Sequence, residues 1–155
     1  MIALNRIVVP TDFSDYGRLA VQYAAAFAEQ FASELHLLHV IDDYFSLAPE
    51  ARLMLPNREQ YLHDREVSAV SELRGVHAAE ASKIRNVVES ASVGQPFVEI
   101  VRYARKNSAD LIVMGSHGRT GLTHALLGSV AERVIRKANC PVLTVRPDQH
   151  RFVMP

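Results

Sequence analysis

Five short runs rich in β-branched residues or leucine punctuate the chain, and the segments between them carry apolar residues at helical spacing. The first run, Arg6-Ile7-Val8-Val9-Pro10, leads through Thr11-Asp12-Phe13-Ser14 into a predicted helix with a buried stripe of Ala20, Val21, Ala24, Phe27, Ala28 and Phe31. The second run is Leu35 to Ile41, ending at Asp42-Asp43. Residues 42–57 contain Pro49 and Pro56 without a steady period and read as a long irregular connection. A helix from about Glu59 to Lys83 follows, with Leu62, Val70, Leu73 and Val76 or His77 inward and Gly75 as its weak point. The third strand is expected over Asn86 to Ala91. Gly94-Gln95-Pro96 opens a helix over Phe97 to Lys106, with Ile100, Val101 and Ala104 inward. Asp110 to Met114 is the fourth strand, Ser129 to Lys137 the fourth helix and Val142 to Val145 the fifth strand.

Runs one, four and five are nearly continuous in apolar residues, the pattern of parallel strands covered on both faces. Strand and helix alternate throughout, which predicts an α/β fold: a doubly wound, open, Rossmann-like parallel sheet with helices on both faces. Such sheets bind ligands beyond the carboxyl ends of the strands, where the strand order reverses. The loops after strands one and four are therefore the places to look for chemistry.

A length of 155 residues fits one domain, read here as residues 1–147 with a tail over 148–155. Hydrophobic residues at 48% and charged residues at 22% exclude disordered and fibrous classes. Lys+Arg and Asp+Glu both number 17, so no net field draws the whole protein to nucleic acid or an anionic membrane, and any anion must be held by a local site. The single cysteine, Cys140, has no internal disulfide partner and reads as a small buried thiol. No apolar run has the length of a signal peptide or of a membrane span, so no membrane insertion is predicted and a cytoplasmic setting is expected.

After strand four comes Gly115-Ser116-His117-Gly118-Arg119, and Gly128-Ser129 precedes the next helix. Gly115 lets backbone approach a ligand, and Gly118 and Gly128 can take positive φ. A helix start favours phosphate, and Ser129 with Glu132 fits a capping box. The same glycines could equally serve turn geometry alone. The loop is no Walker A motif, lacks G-x-G-x-x-G, and misses the nucleophile elbow because Ser116 follows Gly115 directly. Asp12 reads either as a cap of the first helix or as a ligand-facing carboxylate. His36 and His39, three apart on a strand, point to opposite faces and cannot share one metal ion. His117 and His124 fit solvent or phosphate contact better than zinc, and Arg133, Arg136 and Lys137 form the solvated end of a helix.

Gly-x2-Gly-x9-Gly-Ser, formed by Gly115, Gly118, Gly128 and Ser129, resembles the ATP-binding branch of the universal stress protein family. So do Val8 to Ser14, Asp110 to Gly118 and Cys140 to Val145, and the likeness spans the chain outside residues 42–57 and the tail after Pro147. The resemblance implies a five-stranded sheet of order 3-2-1-4-5. It also implies ATP with Mg²⁺ or Mn²⁺ as ligand, with the main chain of Val40 at the adenine edge. Pro10, Thr11 and Asp12 would stand opposite Met114, Gly115, His117, Gly118, Arg119, Gly128, Ser129 and Val130 around ribose and phosphates, and Asp12 would be the residue to approach the metal.

The expected function is that of an ATP-binding regulatory or stress-response module. Slow ATP hydrolysis or phosphotransfer is one alternative, because the loop offers a cradle without an evident general base. A nucleotide-independent dimeric scaffold is the other. A fifth strand at the sheet edge, Val142-Leu143-Thr144-Val145, predicts a homodimer through that strand, with Phe152, Val153 and Met154 packing across the seam. A further protein partner, unidentified, completes the expected partners.

Overall fold

The structure, a computed structural model, describes residues 2–43, 57–78, 84, 86–118 and 127–147. Its strands are β1 (Arg6–Pro10), β2 (Glu34–Ile41), β3 (Asn86–Val93), β4 (Leu111–Gly115) and β5 (Val142–Val145), all parallel and ordered β3-β2-β1-β4-β5. Between them run α1 (Asp15–Phe31), α2 (Arg58–His77), α3 (Pro96–Lys106) and α4 (Ser129–Lys137). Local chemistry sets several boundaries. The Ser14 side chain accepts from the Gly17 N–H and caps α1, and Asn57 does the same for α2 through Gln60. Pro96 occupies the first turn of α3, where its missing N–H costs nothing.

Alternation along the strands divides the core. Ile7, Val9, Leu35, Leu37 and Val113 face Ala20, Ala24 and Ala28 of α1 and Leu73 of α2. Val8, Leu38, Ile112 and Met114 face Ile100 and Ala104 of α3 and Ala131 and Val134 of α4. Both faces of β1 are thus buried, which explains its unbroken apolar run. The alanines on α1 let that helix lie close to the sheet.

Several expectations needed correction. Phe31 is 41% exposed because α1 ends there, at Ala32 in the left-handed region, and Ala25 takes the inward place instead. Strand β3 continues two residues past Ala91, and β4 begins one residue later than expected. Asp110 lies outside β4 because its carboxylate accepts from the Asn5 and Arg6 N–H groups and ties down the start of β1. Helix α2 ends at His77, while residues 79–83 lie outside the described residues. Cys140 is half-buried rather than buried. Arg133 lies over the Phe97 ring at 5.2 Å, so it covers apolar surface rather than pointing wholly to solvent. Among the described residues no helix is long and apolar enough to cross a membrane. At the end of β2, Asp43 forms an ion pair with Arg58 at the start of α2, clasping the two ends of the connection between them.

One partly buried polar network lies between β2, β3 and α3. The Tyr103 hydroxyl lies 3.0 Å from His36 Nδ1 and 2.9 Å from Ser90 Oγ. His36 Nε2 is 3.6 Å from Glu34, too far for a hydrogen bond but close enough for attraction. Burial outweighs that attraction and holds the His36 pKa below its ordinary value of 6.5. The unfolded chain therefore binds a proton more readily than the folded one just below that value, and stability from this residue falls as pH drops through the interval. Thermal melts across that range should show the midpoint falling with acid, and His36→Asn should flatten the slope; an unchanged slope would mean that burial of this ring does not oppose its charging.

Candidate functional site

A cleft of about 710 Å³ opens at the carboxyl ends of β1, β2 and β4, where the strand order reverses. Pro10, Thr11 and Asp12 leave β1 on one side, and Met114 through Gly118 leave β4 on the other. Val40 to Asp42 close the end of β2, and Gly128, Ser129 and Val130 bring in the start of α4. The structure therefore gathers every predicted site residue within its described range into one cavity; Arg119 and His124 lie outside the described residues.

The turn after β1 is tightly cross-tied. The Thr11 N–H donates to the Leu38 carbonyl at 2.9 Å, and its hydroxyl accepts from the Phe13 N–H at 3.1 Å. Asp12 Oδ1 accepts from the Ser14 N–H at 3.1 Å and the Ser14 hydroxyl at 2.5 Å. Asp12 thus closes a local turn, and Ser14, not Asp12, is the helix cap. Phe13 has φ of 65°, a left-handed backbone that costs a bulky residue about 1–2 kcal/mol. Its ring stacks on His39 at 4.5 Å, and His39 Nδ1 lies 2.8 Å from the Thr11 carbonyl oxygen. Gly17 is required beneath this turn, because a Cβ there would lie 2.5 Å from Thr11 Oγ1.

Across the cleft the glycines serve close packing, not positive φ. Among the described glycines only Gly94 has a positive value, so the expectation for Gly118 and Gly128 is overturned. A Cβ on Gly115 would meet Tyr16 at 2.7 Å, a helix contact rather than a ligand approach, and one on Gly118 would meet Asp12 Oδ2 at 2.8 Å. One on Gly128 would meet the Ser116 carbonyl at 3.1 Å, to which the Gly128 N–H already donates at 2.7 Å. The capping box does not form. Gly128 has the extended backbone of a cap, and its carbonyl accepts from the Glu132 N–H, leaving Ser129 one position too far along as the first helical residue. No side chain among the described residues caps α4, so its first-turn N–H groups face the cleft mouth without one. Ser116 is fully buried, its hydroxyl 3.0 Å from His117 Nδ1, and the His117 ring tilts against Tyr16.

Among the described lining residues the carboxylates of Asp12, Asp42 and Glu132 outnumber the single guanidinium of Arg65. No group of three or more His, Cys, Asp or Glu among the described residues is placed to hold a metal ion, so Asp12 alone does not make a metal centre. Sequence reading missed the α2 wall of Tyr61, Leu62 and Arg65, having assigned Leu62 to the core and nothing to the other two. The four-residue spacing of Tyr61 and Arg65 puts them on one side of the helix, but which side meets the cleft depends on α2 docking against β2 and β3. His39, expected together with His36 to be a packed or hydrogen-bonded structural residue, is hydrogen-bonded and also lines the cleft. His36 and His39 do lie on opposite faces, bonded to Tyr103 and Thr11 respectively. A second concavity, of about 720 Å³, is a shallow surface of α2 alone, from Gln60 to Glu72, and gathers no loops.

The sequence model of the universal stress protein family matches residues 3–146. Universal stress protein MJ0531 of Methanocaldococcus jannaschii is 39% identical, over 92% of this chain and 82% of its own length. MJ0577 of the same organism is 35% identical, over 94% and 96%. The solved structure of MJ0577 has a TM-score of 0.80 at 34% identity, covering 96% of this chain and 100% of that one. A universal stress protein solved in complex with cAMP has a TM-score of 0.65 at 25% identity, covering 94% and 98%. A match across almost the whole chain, on a sheet of order β3-β2-β1-β4-β5, makes this chain a member of the universal stress protein family.

Proposed function

We propose that the cleft binds ATP and that the protein acts as a nucleotide-responsive regulatory module, not as an efficient enzyme. The observation that carries this reading is the meeting of the two loops: a Cβ on Gly118 would stand 2.8 Å from the Asp12 carboxylate, inside one cavity at the switch of strand order. Backbone lined by glycine and the start of α4 suits phosphate oxygens, and the main chain of Val40 suits the adenine edge. The relative bound to cAMP supports an adenine nucleotide as the ligand class. With three carboxylates among the described lining, a triphosphate is best accepted with its charge already partly neutralised, by Mg²⁺ or Mn²⁺. Asp12 is the lining carboxylate that we assign to that metal, with phosphate oxygens supplying further ligands.

Calorimetric titration with ATP and Mg²⁺ tests the reading. Gly118→Ala adds a methyl group that would lie 2.8 Å from Asp12 Oδ2, so the carboxylate must shift and affinity should fall about tenfold, the loss of one charge-assisted contact, while the fold persists. No binding at millimolar ATP, or an unchanged affinity in the variant, would sink it. Turnover should stay far below the roughly 1 to 10³ per second of ordinary enzymes, because the described lining offers no lysine at the phosphates. Steady phosphate release at such rates would show a catalytic group that this reading lacks.

The homodimer through β5 belongs to the same proposal. Ile112 and Ser116 donate to the carbonyls of Pro141 and Val145, so odd-numbered residues of this strand turn their polar groups toward β4 and Val142 and Thr144 turn theirs toward the open edge. Val145 is buried, so a charged residue there would damage the core instead of testing the edge. Thr144→Pro removes an outward N–H and leaves the ladder to β4 intact. It should convert dimer to monomer in light scattering, and a variant that remains dimeric would exclude pairing through this edge.

A further inference from the structure

We infer that His39 is a positioning residue for the cleft: through its Nδ1–H to the Thr11 carbonyl and its ring against Phe13, it sets the turn that presents Asp12. The inference rests on the ATP reading for its consequence, but not for its geometry.

The first step concerns the proton. A carbonyl oxygen only accepts, so at 2.8 Å from Thr11 the His39 Nδ1 must carry hydrogen. That bond fixes the orientation of the peptide joining Thr11 to Asp12. On its other side Thr11 donates to the carbonyl of Leu38, so both polar groups of this residue are held by consecutive residues of β2. The peptide that carries Asp12 is therefore clamped to the neighbouring strand rather than to its own helix.

The second step concerns Phe13. A left-handed backbone at a bulky residue persists only where its surroundings over-determine it. Here the Thr11 hydroxyl accepts the Phe13 N–H and the His39 ring stacks on the Phe13 ring at 4.5 Å. Both holds pass through groups that His39 touches. The reversal at Phe13 is what brings the Ser14 N–H and hydroxyl back onto Asp12 Oδ1. Loss of the imidazole donor should release the Thr11 carbonyl, loosen that reversal and let the Asp12 carboxylate leave its place beside Gly118. His39 is itself a lining residue at 8% exposure, so its two roles, wall and clamp, meet at one side chain.

Three substitutions separate the hydrogen bond from the ring. His39→Asn places an amide N–H near the Nδ1 position and loses the stack; His39→Phe keeps a ring and loses the donor; His39→Gln moves the amide to the Nε2 position. Calorimetry with ATP and Mg²⁺ should give the smallest loss of affinity for the asparagine variant, which keeps the donor, and about tenfold weaker binding for the other two. Amide hydrogen exchange without ligand should show faster exchange at Phe13 and Ser14 in the phenylalanine and glutamine variants, with protection retained in the asparagine variant. A purely packing role predicts the reverse order, with phenylalanine the best replacement, and that order would overturn the inference. So would native protection at both amides in the glutamine variant, which serves if the phenylalanine variant fails to fold. A wild-type protein that binds no nucleotide would defeat the ATP reading alone, because the exchange pattern still decides whether His39 holds the turn.

Discussion

Burial of β1 on both faces is the constraint from which the site follows. Ile7 and Val9 are sealed by α1 while Val8 is sealed by the layer of α3 and α4, so the strand has no solvated side. Its backbone is satisfied only by pairing with β2 on one edge and β4 on the other. Where β1 ends at Pro10, the next N–H, from Thr11, still has to find an acceptor. It finds Leu38 of β2. The polar turn over the cleft is thus a continuation of sheet hydrogen bonding by other means, and its rigidity derives from the hydrophobic layers beneath.

The opposite rim is built on a different principle. Gly115, Gly118 and Gly128 are held close to Tyr16, Asp12 and Ser116 respectively, where an added Cβ would force those neighbours to shift. One rim is fixed by hydrogen bonds and the other by the absence of Cβ atoms. Between them lies a cavity whose described charges are mainly negative, so recognition of an anion there depends on N–H groups, on a metal carried with the ligand, or on cations beyond the described residues.

Most of the architecture was legible because it depends on periodicity. Two-residue alternation in Ile7-Val8-Val9 and the alanine stripe of α1 specify faces that the chain must bury, and burial on both sides leaves a parallel sheet as the solution. The residues that line the cleft were legible through a motif whose spacing places glycines at two loop ends. What escaped was set by geometry between distant segments. The bounds of α4 fall where expected, but its cap is Gly128 rather than Ser129, because the cap is chosen by backbone conformation, which a serine–glutamate spacing does not report. Gly118 looked like a turn former, yet its role is to leave space for Asp12, a residue more than a hundred positions away. His39 and Arg65 carry no local signature, since only the docking of β2 and α2 decides that they reach the cleft.

The ion pair between Asp43 and Arg58 bears on how this cleft tolerates change over evolutionary time. It joins the last residues of the β2 end to the first turn of α2, and on either side of it stand the lining residues Asp42 and Tyr61. With the two ends clasped, the intervening segment is a closed loop whose entropy rises only logarithmically with length, by about 0.6 kcal/mol for each doubling. Insertions or deletions between the clasped residues need not shift the described wall formed by Asp42 and Tyr61. The clasp therefore lets the length of the connection vary in sequence while the ends that frame the cleft stay fixed to each other.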